Sequence, residues 1–203
     1  MIVSHKYRFI FIKTRKTAGT SLEVFLSSQC GPDDIVTPIE PHVEPHQARN
    51  HEGFFNHMQG HAIRTAIGDD CWHSYFRFCV ERNPWDKTLS YFHFVNNYRL
   101  DGTSTLDEHL NSADFCVDHP AYTEPGEPDR LLVDRVLHYE NLDSELGDVF
   151  SHLGIPYPGS LGVQAKSEFR TDRRSYREVL DSEQAALIGA AFQQEIKMFN
   201  YRY

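Results

Sequence analysis

Apolar positions along the chain come in short blocks whose spacing switches between the strand and helix periods. Tyr7-Arg8-Phe9-Ile10-Phe11-Ile12 is a brief aromatic and β-branched run, which predicts a buried strand rather than a helix. It gives way abruptly to Lys13-Thr14-Arg15-Lys16-Thr17-Ala18-Gly19-Thr20-Ser21, a polar, basic stretch around a glycine. Leu22-Glu23-Val24-Phe25-Leu26 then resumes with a pattern that can bury one helix face. A second unit repeats this outline, with a strand over Tyr75–Val80, a turn at Glu81-Arg82-Asn83-Pro84, and a helix from Trp85 to Asn97. Pro84 suits a first helical turn, where its missing N–H leaves no bond unmade. A third strand is predicted over Arg135–Tyr139, followed by a helix through Leu153. The last helix starts beyond Asp181, an N-cap with Gln184 at its third position, and puts Ile188, Phe192, Ile196 and Phe199 on one face. Thr105 with Glu108 reads as a capping box for a short helix carrying Leu106 and Leu110. The proline-rich stretches Gly31–Gly60 and Asp118–Arg130 read as irregular surface structure and a long mobile loop. No internal repeat is present. Alternating strands and helices predict an α/β fold with a central parallel sheet flanked by helices.

Length and charge narrow this picture. The 203 residues suit one domain, 1–203, and 40% hydrophobic with 24% charged residues describes a folding chain. With 20 Lys and Arg against 29 Asp and Glu, the net charge of −9 argues against a protein that grips nucleic acid over a wide surface, though a local basic pocket remains compatible. No apolar run approaches the ~18 residues of a membrane span, and Met1 to Arg8 is too polar to open a secretory signal, so a cytoplasmic protein is expected. Cys30, Cys71, Cys79 and Cys116 form no Cys-x-x-Cys pair, and reduced, mostly buried thiols are expected.

A basic, glycine-containing loop between a strand and a helix start offers backbone N–H groups and the positive end of a helix dipole to an anion. Lys16 adds an ammonium, and Thr17, Thr20 and Ser21 add hydroxyls. Taken alone, the stretch is equally a solvated turn or a phosphate site. It lacks the Gly-x-x-x-x-Gly-Lys-Ser/Thr pattern of a nucleoside triphosphate loop, which disfavours a P-loop kinase. The second feature is Arg82 at the end of a strand, with Ser90 two turns into the next helix. In a doubly wound sheet both would open on the same carboxyl edge, where ligands bind, so the pair suggests one ligand with two phosphates.

Lys16-Thr-Ala-Gly-Thr-Ser21 resembles the 5′-phosphosulfate loop of sulfotransferases that use 3′-phosphoadenosine 5′-phosphosulfate, and Arg82-Asn-Pro-Trp with Ser90 resembles their 3′-phosphate motif. The likeness is to the carbohydrate branch that contains heparan sulfate 2-O-sulfotransferase and small bacterial relatives. It continues through Val136-Leu-His-Tyr-Glu-Asn-Leu142 to Glu195-Ile-Lys-Met-Phe-Asn-Tyr201, while residues 31–59 and 96–129 match nothing. The resemblance implies a P-loop-like nucleotide-binding fold. It assigns the donor to Arg15, Lys16, Thr17, Ala18, Gly19, Thr20, Ser21, Arg82, Ser90 and Arg170, with Lys16 also catalytic at the bridging oxygen. Arg15 stands where many relatives have proline, and the stretch around Arg170 matches loosely. Glu140 matches a recurrent glutamate whose role is either structural or catalytic.

Twelve histidines invite a metal reading, notably His42/His46 and His57/His61. Prolines beside the first pair work against a helix, and His57-Met-Gln-Gly-His61 lacks the glutamate of a zinc protease motif, so no metal is expected and most histidines are read as exposed loop residues. Gly60-His61-Ala62-Ile63-Arg64 resembles the family motif that carries the acceptor-activating base. This makes His61 the expected base and His93 its rival. The expected reaction moves a sulfuryl group to a hydroxyl acceptor, a carbohydrate by resemblance, neutral or lightly charged given the acidic surface. Trp85, Tyr91 and Tyr122 either stack on sugar or belong to the core. A non-catalytic adenosine nucleotide-binding module is the alternative.

Overall fold

A computed structural model describes residues 1–99, 102–162, 172 and 174–203. Its main sheet has five strands in the order β3-β1-β2-β4-β7: β1 (Ile2–Ser4), β2 (Phe9–Phe11), β3 (Ile35–Val36), β4 (Phe76–Glu81) and β7 (Arg135–His138). The predicted strands are the parallel part, with Phe9 opposite Phe76 and Phe78 opposite Arg135. β1 runs antiparallel to both β2 and β3, so the sheet is mixed at one side.

Both faces of the sheet are covered, which is why β2, Phe9-Ile10-Phe11, reads as an unbroken apolar run. Phe9, Phe11, Phe78, Val80 and Leu137 point to one face. There they pack on Leu22 and Leu26 of α1 (Gly19–Gln29) and on Leu146, Val149 and Phe150 of α7 (Leu142–Leu153). Ile10, Ile12 and Cys79 point to the other, against Ile63 of α2 (Gly60–Ile67), Trp72 of α3 (Asp69–Ser74) and Tyr122 of α6 (His119–Tyr122). A third cluster joins α4 (Pro84–Arg99), α5 (Leu106–Asn111) and α9 (Ser182–Ala191), with Leu89, Leu110 and Ile188 at its centre.

Three expectations need correction. Asp118–Arg130 is not a long mobile loop: it holds α6 and a hairpin of β5 (Thr123–Glu124) with β6 (Glu127–Leu131), turned at Gly126, whose φ of 80° suits glycine. Pro128 is tolerated because β6 is exposed along its whole length. The last helix is two, α9 and α10 (Gln193–Phe199), because Phe192 leaves helical geometry at ψ 28°. Its caps follow the sequence reading: Asp181 accepts the Glu183 and Gln184 N–H groups at 2.9 Å each, and Thr105 with Glu108 closes a full capping box on α5. Finally, His46, His109 and His119 are buried rather than exposed; the His46 Nε2–H donates to the Thr37 carbonyl at 2.9 Å. α8 (Tyr176–Val179) completes the described helices. No helix among the described residues is long and apolar enough to cross a membrane.

Candidate active site

The carboxyl ends of β2, β4 and β7 open into a cleft of about 1960 Å³. Its floor is the basic loop. The Ile12 N–H donates to Phe78 at 2.9 Å and the Thr14 hydroxyl to Val80, so the loop leaves β2 still tied to β4. Lys16 and Ala18 then adopt left-handed backbone, at φ 60° and 61°, and α1 starts at Gly19. A Cβ on Gly19 would lie 2.8 Å from Lys13 Cγ and 3.3 Å from the Thr14 carbonyl oxygen, so only glycine fits there. Lys16, Thr17, Ala18, Gly19, Thr20 and Ser21 all line the cleft around the α1 N-terminus, where backbone amides and helix dipole favour an anion. The Lys16 ammonium lies 4.4 Å from the centre of the Phe94 ring, on the opposite wall.

Arg82 joins this loop from β4. Its NH1 donates to the Lys16 carbonyl at 2.9 Å, Nε and NH2 donate to Asp86 Oδ2 at 2.8 and 2.6 Å, and the guanidinium lies 4.1 Å over the Tyr139 ring. A guanidinium carries five N–H groups, and these contacts use three, which leaves one each on NH1 and NH2. Ser90, two turns along α4, lines the same cleft. Glu140, which also lines the cleft, accepts the Asn83 N–H at 2.6 Å and so holds the turn after Arg82. Arg170 lies outside the described residues.

Beneath the loop is a buried charge network that sequence reasoning missed. Lys87 Nζ is 2.7 Å from Glu81 and 2.9 Å from Asp118, and Asp118 also accepts the Arg15 N–H at 2.7 Å and its Nε at 2.9 Å. Burial alone would lower the Lys87 pKa, but the two carboxylates overcome it and hold the ammonium above its usual range. Asp118 is the mirror case: burial would raise its carboxyl, and Lys87 and Arg15 pull it below the ordinary value. Arg15 lines the cleft as well, with its side chain tied to Asp118 and, through NH2, to the Val117 carbonyl at 2.7 Å. Nothing in the local sequence ties residue 15 to residue 118.

No family model matches this chain. A stretch of 101 residues, 49% of this chain and 84% of its counterpart, is 29% identical to an uncharacterized protein of Archaeoglobus fulgidus. Among solved structures, mouse sulfotransferase SULT7A1 complexed with PAP matches 96% of this chain and 86% of its own, with a TM-score of 0.57 at 15% identity. This chain has the sulfotransferase fold. The sulfotransferase of Alicyclobacillus acidocaldarius matches 97% of this chain and 96% of its own, with a TM-score of 0.46 at 16% identity.

Within this sulfotransferase fold, the histidines divide unexpectedly. His57 lines the cleft; His61 and His93 are not among the described residues that do. His61 is the second residue of α2, half-buried, and its Nδ1 is buried without a hydrogen-bond partner among the described residues. The His57 Nδ1 sits 3.0 Å from the Lys13 carbonyl oxygen. A carbonyl can only accept, so Nδ1 carries the hydrogen and Nε2 keeps a lone pair able to take a proton. Burial first, then the nearby Lys13 ammonium, push the His57 pKa down to about 4. Trp85 and Tyr122 are core residues, donating to the Ala185 carbonyl and to Glu81 at 2.9 Å each, whereas Tyr91 is buried yet borders the cleft.

The depressed His57 value has a consequence for stability. Between its ordinary 6.5 and about 4, the unfolded chain binds a proton at this ring that the folded chain does not. Stability must therefore fall as pH drops through that window. Thermal midpoints measured from pH 7 to pH 4 should show the decline, and His57→Gln should flatten part of it. His46 and His109, both lowered chiefly by burial, supply a further part with the same sign.

Proposed function

We propose that this chain transfers a sulfuryl group from 3′-phosphoadenosine 5′-phosphosulfate to a hydroxyl acceptor. The observation that carries the reading is the 2.9 Å bond from Arg82 NH1 to the Lys16 carbonyl, which puts two anion motifs from distant sequence on one cleft wall. The 5′-phosphosulfate would lie on the α1 N-terminus, with Thr17, Gly19, Thr20 and Ser21 around it. The 3′-phosphate would take the remaining N–H groups of Arg82 and the Ser90 hydroxyl, a forked contact that lysine cannot reproduce. The structural neighbour SULT7A1, complexed with PAP, supports the same choice of nucleotide.

In the transfer, the acceptor oxygen forms a bond to sulfur as the bond from sulfur to the bridging oxygen breaks. Lys16 offsets charge gathering on the departing phosphate, and the acceptor proton goes to a base. His57 rather than His61 serves as that base, because His57 borders the cleft with its proton-accepting nitrogen unprotonated. The acceptor is a carbohydrate hydroxyl, neutral or lightly charged, since a net charge of −9 would repel a polyanion.

Calorimetry tests the nucleotide assignment. 3′-Phosphoadenosine 5′-phosphate should bind more tightly than adenosine 5′-phosphate, and Arg82→Ala should remove ~1.5–3 kcal/mol from the first and clearly less from the second, which loses only the support of the Lys16 carbonyl. An unchanged preference in Arg82→Ala would remove Arg82 from the 3′-phosphate.

A further inference from the structure

Lys87 is fully buried under the cleft and cannot touch a ligand in it, yet it is two hydrogen bonds from the backbone of each anion motif. Glu81 Oε1, 2.7 Å from its Nζ, also accepts the Arg82 N–H at 2.9 Å. Asp118 Oδ2, 2.9 Å from the same Nζ, also accepts the Arg15 N–H at 2.7 Å, next to Lys16. In each carboxylate the oxygen that meets the ammonium is the one that holds the amide. The other oxygens are fixed as well: Glu81 Oε2 by the Tyr122 hydroxyl at 2.9 Å, and Asp118 Oδ1 by Arg15 Nε at 2.9 Å. Neither carboxylate can rotate without breaking a buried charged contact.

We propose that Lys87 is a positioning residue that sets the distance between the two phosphate sites by clamping the backbone of the Lys16 loop to that of the Arg82 turn. The proposal rests on the two-phosphate reading of the cleft. A ligand with two phosphates gains from the second contact only when the spacing of the sites matches its own. Loosening the clamp should therefore harm the bis-phosphate and spare nucleotides that use one site. A lysine that merely balanced charge in the core would show no such selectivity.

Three probes read this by calorimetry: 3′-phosphoadenosine 5′-phosphate, adenosine 5′-phosphate and adenosine 3′-phosphate. Lys87→Met leaves two buried carboxylates facing each other and can fail to fold. The triple variant Lys87→Met/Glu81→Gln/Asp118→Asn removes those charges at similar volume and keeps carbonyl oxygens for both amides. In whichever variant folds, the two monophosphates should bind within about threefold of wild type while the bis-phosphate loses at least about tenfold. Retained bis-phosphate affinity overturns the proposal, as does a parallel loss for all three nucleotides, which marks a general collapse of the site. If the wild-type chain itself shows no preference for the bis-phosphate, the two-phosphate reading falls and the clamp with it, a failure visible before any variant is made.

Discussion

Lys16→Ala should lower kcat for sulfuryl transfer by ~10²–10³-fold while changing the affinity for 3′-phosphoadenosine 5′-phosphate far less. In the proposed binding mode the ground-state nucleotide meets the backbone amides of the α1 N-terminus, the hydroxyls of Thr17, Thr20 and Ser21, and Arg82, so one ammonium would be a modest part of binding. Charge on the bridging oxygen grows only as the sulfur bond breaks, and an interaction that strengthens then raises turnover rather than affinity. Steady-state rates with radiolabelled donor and a panel of mono- and oligosaccharides, beside calorimetry with the product nucleotide, separate the two effects. A loss of affinity equal to the loss of rate would make Lys16 a binding residue alone.

The second large effect is expected at His57. Removing a general base typically costs ~10²–10⁴-fold, so His57→Ala should suppress transfer on this scale while nucleotide binding stays near wild type. His61→Ala and His93→Ala are the controls, and both should keep transfer within about tenfold of wild type, since neither residue borders the cleft. Because a protonated ring cannot accept a proton, the wild-type rate should fall on the acid side of its profile, and that fall should disappear from the residual activity of His57→Ala. If His61→Ala loses activity and His57→Ala retains it, the family-like motif at Gly60-His61 identified the base and the cleft wall did not.

The parts of this fold that carry a period of their own were legible in the sequence. β2, β4 and β7 carry aromatic and aliphatic residues between turn signals, and the helices that follow them begin at a glycine, at Pro84 and beyond Asn141. β1 and β3 were not legible, because three and two residues show no period and owe their conformation to neighbours on the sheet. Hairpin β5–β6 was hidden by the Pro and Gly residues that shape its turn. Of the candidate site, the loop and the Arg82 turn could be recognised locally, and the sheet carries both to one cleft. What could not be seen is that Arg15 and Lys87 converge on Asp118, since those partners lie 103 and 31 positions away in the chain. Nor could the choice between His57 and His61 be made. His57 has a positive φ of 61°, so the two are not neighbours on a helix face as their spacing suggests, and only one of them meets the cleft.

The left-handed residues of the basic loop bear on how quickly and tightly a ligand could be held. A left-handed conformation costs an L-residue about 1–2 kcal/mol, and Lys16 and Ala18 both have a positive φ, at 60° and 61°. The strain is offset by folding: the Arg82 bond to the Lys16 carbonyl, the Asp118 grip on Arg15 and the close fit of Gly19 on Lys13 keep the loop in shape. In the proposed binding mode, a phosphate would meet amides held in place by the fold and would lose little entropy to loop ordering, which would leave its binding energy for discrimination and for chemistry. In a chain with glycine at both positions, the same loop would form with less strain but wander more, and the anion would have to supply the order that the fold supplies here.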